Sequence, residues 1–211
     1  MWEIFADAFL IPGCVACGGV EEGVTKSLLG LRLCFACADA WPDPLGALHL
    51  EGIDRTAMWP YRGTVRRLLV QAKDMPHCAQ AWALRHAARK ATLPDFPEHA
   101  VWCVTPPSRR RRISDWYLPQ FVGTSIAQSK KHKFRRLLKR RQQRRNQSDL
   151  SGAERRANLQ EVFRWRGGRV PACVILFDDV STTGATFLEA ARALRAVGVA
   201  KVYAVCLAAV E

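Results

Sequence analysis

Two adjacent carboxylates, Asp178 and Asp179, stand directly before a short loop of hydroxyl and small residues. The loop residues, in chain order, are Ser181, Thr182, Thr183, Gly184, Ala185 and Thr186. Hydroxyl donors and the free N–H groups of a helix amino terminus suit a phosphate, and glycine lets the backbone approach it closely. Carboxylates repel a phosphate, but they accept hydrogen bonds from sugar hydroxyls. The pair and the loop therefore predict a site for a ribose 5-phosphate group, with the diol on the aspartates.

The flanking sequence predicts the elements that position this loop. Residues 174–177 form an apolar run that is long enough for one buried parallel strand. Residues 185–197 predict a helix with Leu188, Ala191 and Leu194 on one face and Gly198 at its stop, and residues 202–207 predict the next strand. A simpler alternative is that Asp179 and the threonines only cap the helix, but a cap accounts for one polar residue and not for six.

Four of the eight cysteines occur as two Cys-x-x-Cys pairs, Cys14/Cys17 and Cys34/Cys37. Four thiolates make a closed tetrahedral zinc site, which predicts a structural and not a catalytic ion. Because residues 1–42 contain too little apolar chain for a core of their own, we expect a zinc-binding module there. The alternative is a set of buried or redox cysteines that hold no metal.

The excess of positive charge lies in one segment. The net charge is +13, and residues 109–145 hold fourteen Lys or Arg and one acid, so the rest of the chain is neutral. The segment is open to three interpretations: a solvated surface, a track for a nucleic-acid backbone, or a clamp on a pyrophosphate. Its candidate contact residues are Arg109, Arg110, Arg111, Arg112, Arg140, Arg141, Arg144 and Arg145. Trp116 and Tyr117 could stack on bases, although Trp116 is equally compatible with a core position.

The remaining elements predict an α/β domain over residues 50–211, with a parallel sheet flanked by helices. We expect a strand at 57–61, a helix with Val65, Leu68 and Leu69 facing inward, a second helix at 79–90 and a strand at 102–105. Residues 150–163 predict a further helix. Lys73 closes the first of these helices, either as a solvated lysine or as a cation that faces a pyrophosphate or a DNA backbone.

Nothing in the sequence predicts a membrane protein. No apolar run is long enough for a span, and the first residues carry acids where a signal peptide would carry basic residues. We therefore expect a cytoplasmic location.

Residues 174–186 resemble the signature of type I phosphoribosyltransferases, which bind phosphoribosyl pyrophosphate (PRPP). Taken with the four cysteines, nearly the whole chain resembles the ComF family. The further matching positions are Tyr61, Gly63, Lys73, Leu138, Arg140, Gln147, Leu150, Ser151, Arg155, Asn158 and Phe163. The resemblance implies a type I phosphoribosyltransferase-like fold, structural zinc, PRPP bound with Mg²⁺, and single-stranded DNA handled during natural transformation, with a DNA-translocation helicase as a possible partner.

One departure from the family pattern keeps the activity open. Residues 105–108 are Thr-Pro-Pro-Ser where the family has Pro-Val-Pro-Leu, and residues 112–115 replace its Arg-Gly-Phe-Asn. Because the first stretch is expected to form the loop on the pyrophosphate side, three functions stay in competition. They are an active nucleobase phosphoribosyltransferase, a non-catalytic nucleic-acid-binding protein that keeps the fold, and a structural assembly partner.

Overall fold

The computed structural model describes residues 13–20, 26–107, 116–141 and 162–210. In chain order its strands are β1 (Lys26–Leu28), β2 (Leu31–Leu33), β3 (Gly46–Leu48), β4 (Asp54–Pro60), β5 (Val101–Val104), β6 (Lys133–Phe134), β7 (Leu138–Arg140), β8 (Phe163–Trp165), β9 (Cys173–Ser181) and β10 (Lys201–Ala209). Its helices are α1 (Phe35–Asp39), α2 (Gly63–Asp74), α3 (Ala79–Lys90), α4 (Leu118–Ser129) and α5 (Ala185–Arg195).

A six-stranded sheet in the order β3-β4-β10-β9-β5-β6 forms the centre of the fold. Every neighbouring pair is parallel except β3 and β4, which are antiparallel. β9 and β10 lie in the middle and are buried along most of their length, which explains their nearly continuous apolar sequence. The predicted α/β fold with a parallel sheet is confirmed.

Helices cover both faces of this sheet. Helices α2, α3 and α4 pack on one face, against Ile175, Phe177 and neighbouring apolar residues. Helix α5 and the β7–β8 hairpin pack on the other, against Val174 and Leu176. The alternation of side chains along β9 therefore supplies both cores.

Individual elements agree with the sequence to different degrees. Helix α3 has the predicted bounds, and Val65, Leu68 and Leu69 of α2 are fully buried as predicted. Leu188 was wrongly assigned to the buried face of α5, where it is 38% exposed. The buried face uses Phe187, Ala190, Ala191 and Leu194 instead, because Phe187 begins the i, i+3, i+4, i+7 series one residue earlier. Most of the helix predicted over 150–163 falls on residues outside the described ones. Of its two described residues, Val162 is not helical and Phe163 begins β8.

The described part of the cysteine region packs directly on helices α2 and α3. The Thr64 hydroxyl at the start of α2 donates to the Cys37 carbonyl at 2.6 Å, and Gln80 of α3 donates to the Val15 carbonyl at 3.1 Å. Buried side chains of this region and of both helices belong to one hydrophobic cluster. The cysteine region is therefore anchored to the same helices that cover the sheet.

Within the described ranges, no helix is both long enough and apolar enough to cross a bilayer.

Candidate functional site

The two aspartates lie within β9, and the strand continues to Ser181. The sequence placed them just after the strand, but β10 is equally long and pairs with β9 up to Ser181. Asp179 is buried, and its Oδ1 accepts a hydrogen bond from the Val180 N–H at 2.7 Å. The pairing of β9 with β10 therefore fixes the positions of the two carboxylates.

Lys73 places a positive charge beside the two aspartates. Its Nζ lies 3.3 Å from Asp179 Oδ2, and its side chain is only 19% exposed. Helix α2 carries Lys73 near its end, so the packing of α2 on the sheet brings the two charges together. Of the two interpretations of Lys73, the solvated one is wrong, because the side chain is largely covered and ion-paired.

The carboxyl group of Asp178 has a raised pKa. Its pKa is raised to about 7, first by burial and then by the negative charge of Asp179, while a hydrogen bond from Thr105 and the charge of Lys73 act in the opposite direction. Thr105 follows β5 and is itself held by Tyr117, whose hydroxyl donates to the Thr105 carbonyl at 2.8 Å. A carboxyl group in this state can donate or accept a hydrogen bond near neutral pH, as a hydroxyl ligand would require.

The loop after β9 forms a small hollow at the start of α5. Residues 178 and 180–187 line a space of about 40 Å³, and Thr182, Thr183 and Thr186 are exposed around it. Gly184 has φ +76°, and a Cβ atom there would come within 2.5 Å of the Leu50 side chain. The glycine is therefore needed both for its backbone conformation and for its lack of a side chain. Hydroxyl groups and the backbone N–H groups of a helix amino terminus are the types of donor that phosphate sites use.

Sequence reasoning missed Arg55, which lies beneath this loop. Its guanidinium Nη1 donates to Ser181 Oγ at 3.0 Å, and both side chains are at least half-buried. The two residues are 126 positions apart, so no local pattern connects them. Arg55 holds the first hydroxyl of the loop and adds a positive charge next to the hollow.

The four predicted metal ligands come together. The Sγ atoms of Cys14, Cys17, Cys34 and Cys37 all lie within 4.8 Å of one another. The Cys17–Cys34 separation is 3.8 Å, and a tetrahedron with Zn–S bonds of about 2.3 Å requires about 3.8 Å between sulfurs. The cluster is therefore compatible with a structural zinc ion.

Two donors next to the cluster favour thiolates. Arg67 of α2 donates to Cys37 Sγ at 3.2 Å, and the Gly19 N–H donates to Cys17 Sγ at 3.4 Å. Without a metal, burial and then the neighbouring thiols raise the pKa of Cys37 far above its ordinary value. A bound cation would reverse this, because it stabilises the thiolate form of each ligand.

The structure describes only part of the basic segment. The predicted residues Arg109, Arg110, Arg111, Arg112, Arg144 and Arg145 lie outside the described residues. Arg140 belongs to β7, with its guanidinium 5.4 Å from the centre of the Phe163 ring, and Arg141 follows it on the surface. Lys130 and Lys131 follow α4 on the opposite face of the sheet. The described basic residues thus occupy both faces, and their predicted polyanion contacts stay a prediction.

Comparison with known proteins adds no identification: no family model matches the chain, and neither does any curated protein. The resemblance to ComF proteins therefore stays a prediction that rests on the quoted residues.

Proposed function

We propose that the β9–α5 region binds PRPP or another ribose 5-phosphate ligand. The proposal rests on the order of polar groups at the carboxyl end of β9. Two carboxylates for a diol are followed directly by a hydroxyl-rich hollow at a helix amino terminus. A cap or a packing motif would use one of these features, whereas a sugar phosphate uses both.

Each described group has a role in this proposal. Asp178 and Asp179 accept hydrogen bonds from the ribose diol, and the hydroxyls and N–H groups of residues 181–186 donate to the 5-phosphate. Lys73 faces the pyrophosphate side while it neutralises Asp179. The ligand would bring its own Mg²⁺, since its diol and pyrophosphate oxygens are the hard oxygen donors that this ion prefers.

The same geometry would serve a transferase. A nitrogen nucleophile would attack the anomeric carbon, pyrophosphate would leave with the bonding electron pair, and the nucleophile would lose a proton. The protein would contribute positioning and electrostatic stabilisation of an oxocarbenium-like state. A pyrophosphate-release assay distinguishes this enzyme from a PRPP-binding protein without catalysis. The enzyme would release pyrophosphate only when a nucleobase is added.

Nucleic acid is the second partner in the proposal. The charge of residues 109–145 supports it, since this segment alone accounts for the whole net charge of +13. With the ComF resemblance, this points to single-stranded DNA in natural transformation and to a DNA-translocation helicase as a candidate partner. The four-cysteine cluster would hold zinc as a structural ion, outside the ligand site.

Thermal stability with and without PRPP plus Mg²⁺ tests the ligand site. At a hundred times its dissociation constant, a ligand that binds only the folded state adds about 2.7 kcal/mol to the free energy of unfolding. We expect the wild type to shift and Asp179→Asn not to shift.

Asp54→Asn is the matched control for that variant. Asp54 also pairs with a lysine, since Lys201 Nζ lies 2.6 Å from its Oδ2, but it lies at the opposite end of the sheet. Asp54→Asn should keep the full ligand response. A wild type that does not respond to PRPP, ribose 5-phosphate or any nucleoside monophosphate would contradict the proposal.

A further inference from the structure

A groove of about 430 Å³ lies between helices α3 and α4, apart from the phosphate hollow. Its lining residues are His77, Trp82, Arg85, Trp116, Tyr117, Gln120, Phe121, Thr124, Ser125 and Gln128. Five of these ten side chains are aromatic, the histidine included. Trp116 belongs to the core, and Tyr117 and Phe121 pack against it, so the exposed rings of the groove are His77 and Trp82. Exposed aromatic rings in one groove mark a candidate binding site.

The aromatic rings are fixed relative to one another. Trp82 meets Phe121 edge-on with ring centres 5.0 Å apart, and Phe121 lies 5.2 Å from Trp116. The Trp116 indole N–H donates to the Ala72 carbonyl at 3.0 Å, which anchors the buried end of the row. Trp82 at the open end is 43% exposed. A preformed row that ends in an exposed indole costs little ordering when a flat ligand stacks on it.

The cation of the groove is Arg85. Its guanidinium carbon lies 4.7 Å from the centre of the Trp82 ring and 5.2 Å from that of Phe121. Arg89 follows one helical turn later on the same face of α3. A stacked guanidinium beside an aromatic row suits a ligand that is both flat and anionic.

The remaining lining groups are neutral and polar. Gln120, Gln128 and Thr124 carry donors and acceptors along the α4 side of the groove. A groove for an apolar helix would be lined by aliphatic side chains, whereas the edges of nucleobases need such paired donors and acceptors.

We propose that this groove binds single-stranded nucleic acid, with a base stacked on Trp82 and an adjacent phosphate on Arg85. Positive charge supports this occupant, because Lys130 and Lys131 follow the groove residue Gln128 at the end of α4. The inference rests on the proposed function only in taking nucleic acid as the partner.

The groove shares a wall with the diol site. Tyr117 lines the groove, and its hydroxyl donates to the carbonyl of Thr105, whose side chain bonds to Asp178. A bound strand would therefore lie next to the ribose phosphate ligand without using the same groups. This separation allows the two sites to be tested independently.

Fluorescence anisotropy with a labelled oligothymidylate of about 12 nucleotides tests the proposal. We expect Trp82→Ala to weaken binding at least about fivefold, since base–aromatic stacking is lost, and Trp82→Phe to retain most of the affinity. Arg85→Gln should weaken binding and lessen its salt dependence. An abasic strand of the same length should bind the wild type more weakly, and Trp82→Ala should weaken its binding no further.

Lys201→Gln is the matched control, because Lys201 also stacks on an aromatic ring, 5.1 Å from the centre of Tyr203, at the far end of the sheet. It should bind the strand as the wild type does. Equal affinities of Trp82→Ala and wild type, or of abasic and thymidylate strands, would overturn the proposal. Self-association that depends on Trp82 would assign the groove to a second copy and would overturn it as well.

The PRPP melting shift in the same variants separates this proposal from the proposed ligand site. Trp82→Ala should keep that shift. A Trp82→Ala protein that loses DNA binding and keeps the PRPP response places the defect in the groove. The contrary outcome is a Trp82→Ala protein that, without ligand, has the melting temperature of the wild type but has lost both DNA binding and the PRPP shift. The groove would then not be a separate site, and the proposal would be wrong.

Discussion

At the scale of single residues, the carboxyl group of Asp178 lowers the stability of the protein at pH values at which it is ionised. Its pKa is raised from 3.8 to about 7, mainly by burial and then by the charge of Asp179. An acid whose pKa is raised on folding stabilises the folded state below the unfolded pKa, and this stability is lost as the pH rises through the folded pKa. The contribution of Asp178 therefore falls between about pH 4 and pH 7.

Asp178→Asn removes this pH dependence. We expect the variant to match the wild type near pH 4 and to exceed its free energy of unfolding near pH 8 by on the order of 3 kcal/mol. Urea unfolding at the two pH values measures the difference. Equal differences at both pH values would mean that Asp178 titrates normally.

Lys73 and Asp179 are expected to depend on each other. Lys73→Met leaves the buried Asp179 carboxylate without its cation, so we expect a loss of about 1–3 kcal/mol. The double variant Lys73→Met/Asp179→Asn should recover most of that loss, because no charge is left unpaired. A double-mutant cycle by urea unfolding measures the coupling, and additive losses would contradict it.

At the scale of secondary-structure elements, the turn from β9 into α5 depends on one glycine. Gly184→Ala would place an alanine at φ +76° and its Cβ 2.5 Å from Leu50, so we expect a loss of at least about 1–3 kcal/mol. Gly198→Ala is the control, since Gly198 has φ +98° and open space around it. Urea unfolding measures both losses, and the difference between them gives the cost of the clash with Leu50. In a Leu50→Ala background this difference should disappear, while the cost of the backbone conformation should remain.

The same turn shows how far the sequence alone predicts elements. An apolar run and a hydroxyl loop are local patterns, so β9, α5 and the order of site residues were predicted. The end of β9 was not predicted. Asp178 and Asp179 belong to the strand because β9 pairs with β10 along its whole length, and their own strand propensity is low. Leu188 was misplaced because it shares the helical period with Ala191 and Leu194, and only packing shows that Phe187 fills the core.

Tertiary partners account for the rest of what the sequence could not predict. Arg55 reaches Ser181, and Tyr117 reaches Thr105, through packing of separate elements. Trp82 and Phe121 are 39 positions apart and meet only because α3 packs on α4. The cysteine cluster was predictable despite its long spacing, because metal chemistry restricts which cysteines can share an ion.

At the scale of the whole molecule, helix α2 links the cysteine cluster to the proposed ligand site. Near its start Thr64 donates to the Cys37 carbonyl and Arg67 donates to the Cys37 sulfur, and in its last turn Lys73 pairs with Asp179. Helix α2 is therefore fixed at one end by the cluster and at the other by the site.

Removal of the metal should for this reason affect both regions. We expect the purified protein to contain one zinc ion, and a strong chelator to lower its melting temperature and to reduce the PRPP response. Cys37→Ser should have the same two effects. Cys78→Ser should have neither, because Cys78 lies outside the cluster.

The affinity for zinc should also depend on pH. Burial and the neighbouring thiols raise the pKa of Cys37, so zinc must displace a proton there, and binding should tighten as the pH rises from about 6 to about 8. Competition with a chromogenic chelator at several pH values measures this. An affinity that does not vary with pH would show that the thiols are already ionised. A chelated protein that keeps both its melting temperature and its PRPP response would show that the packing of α2, and not a metal, holds this end of the molecule.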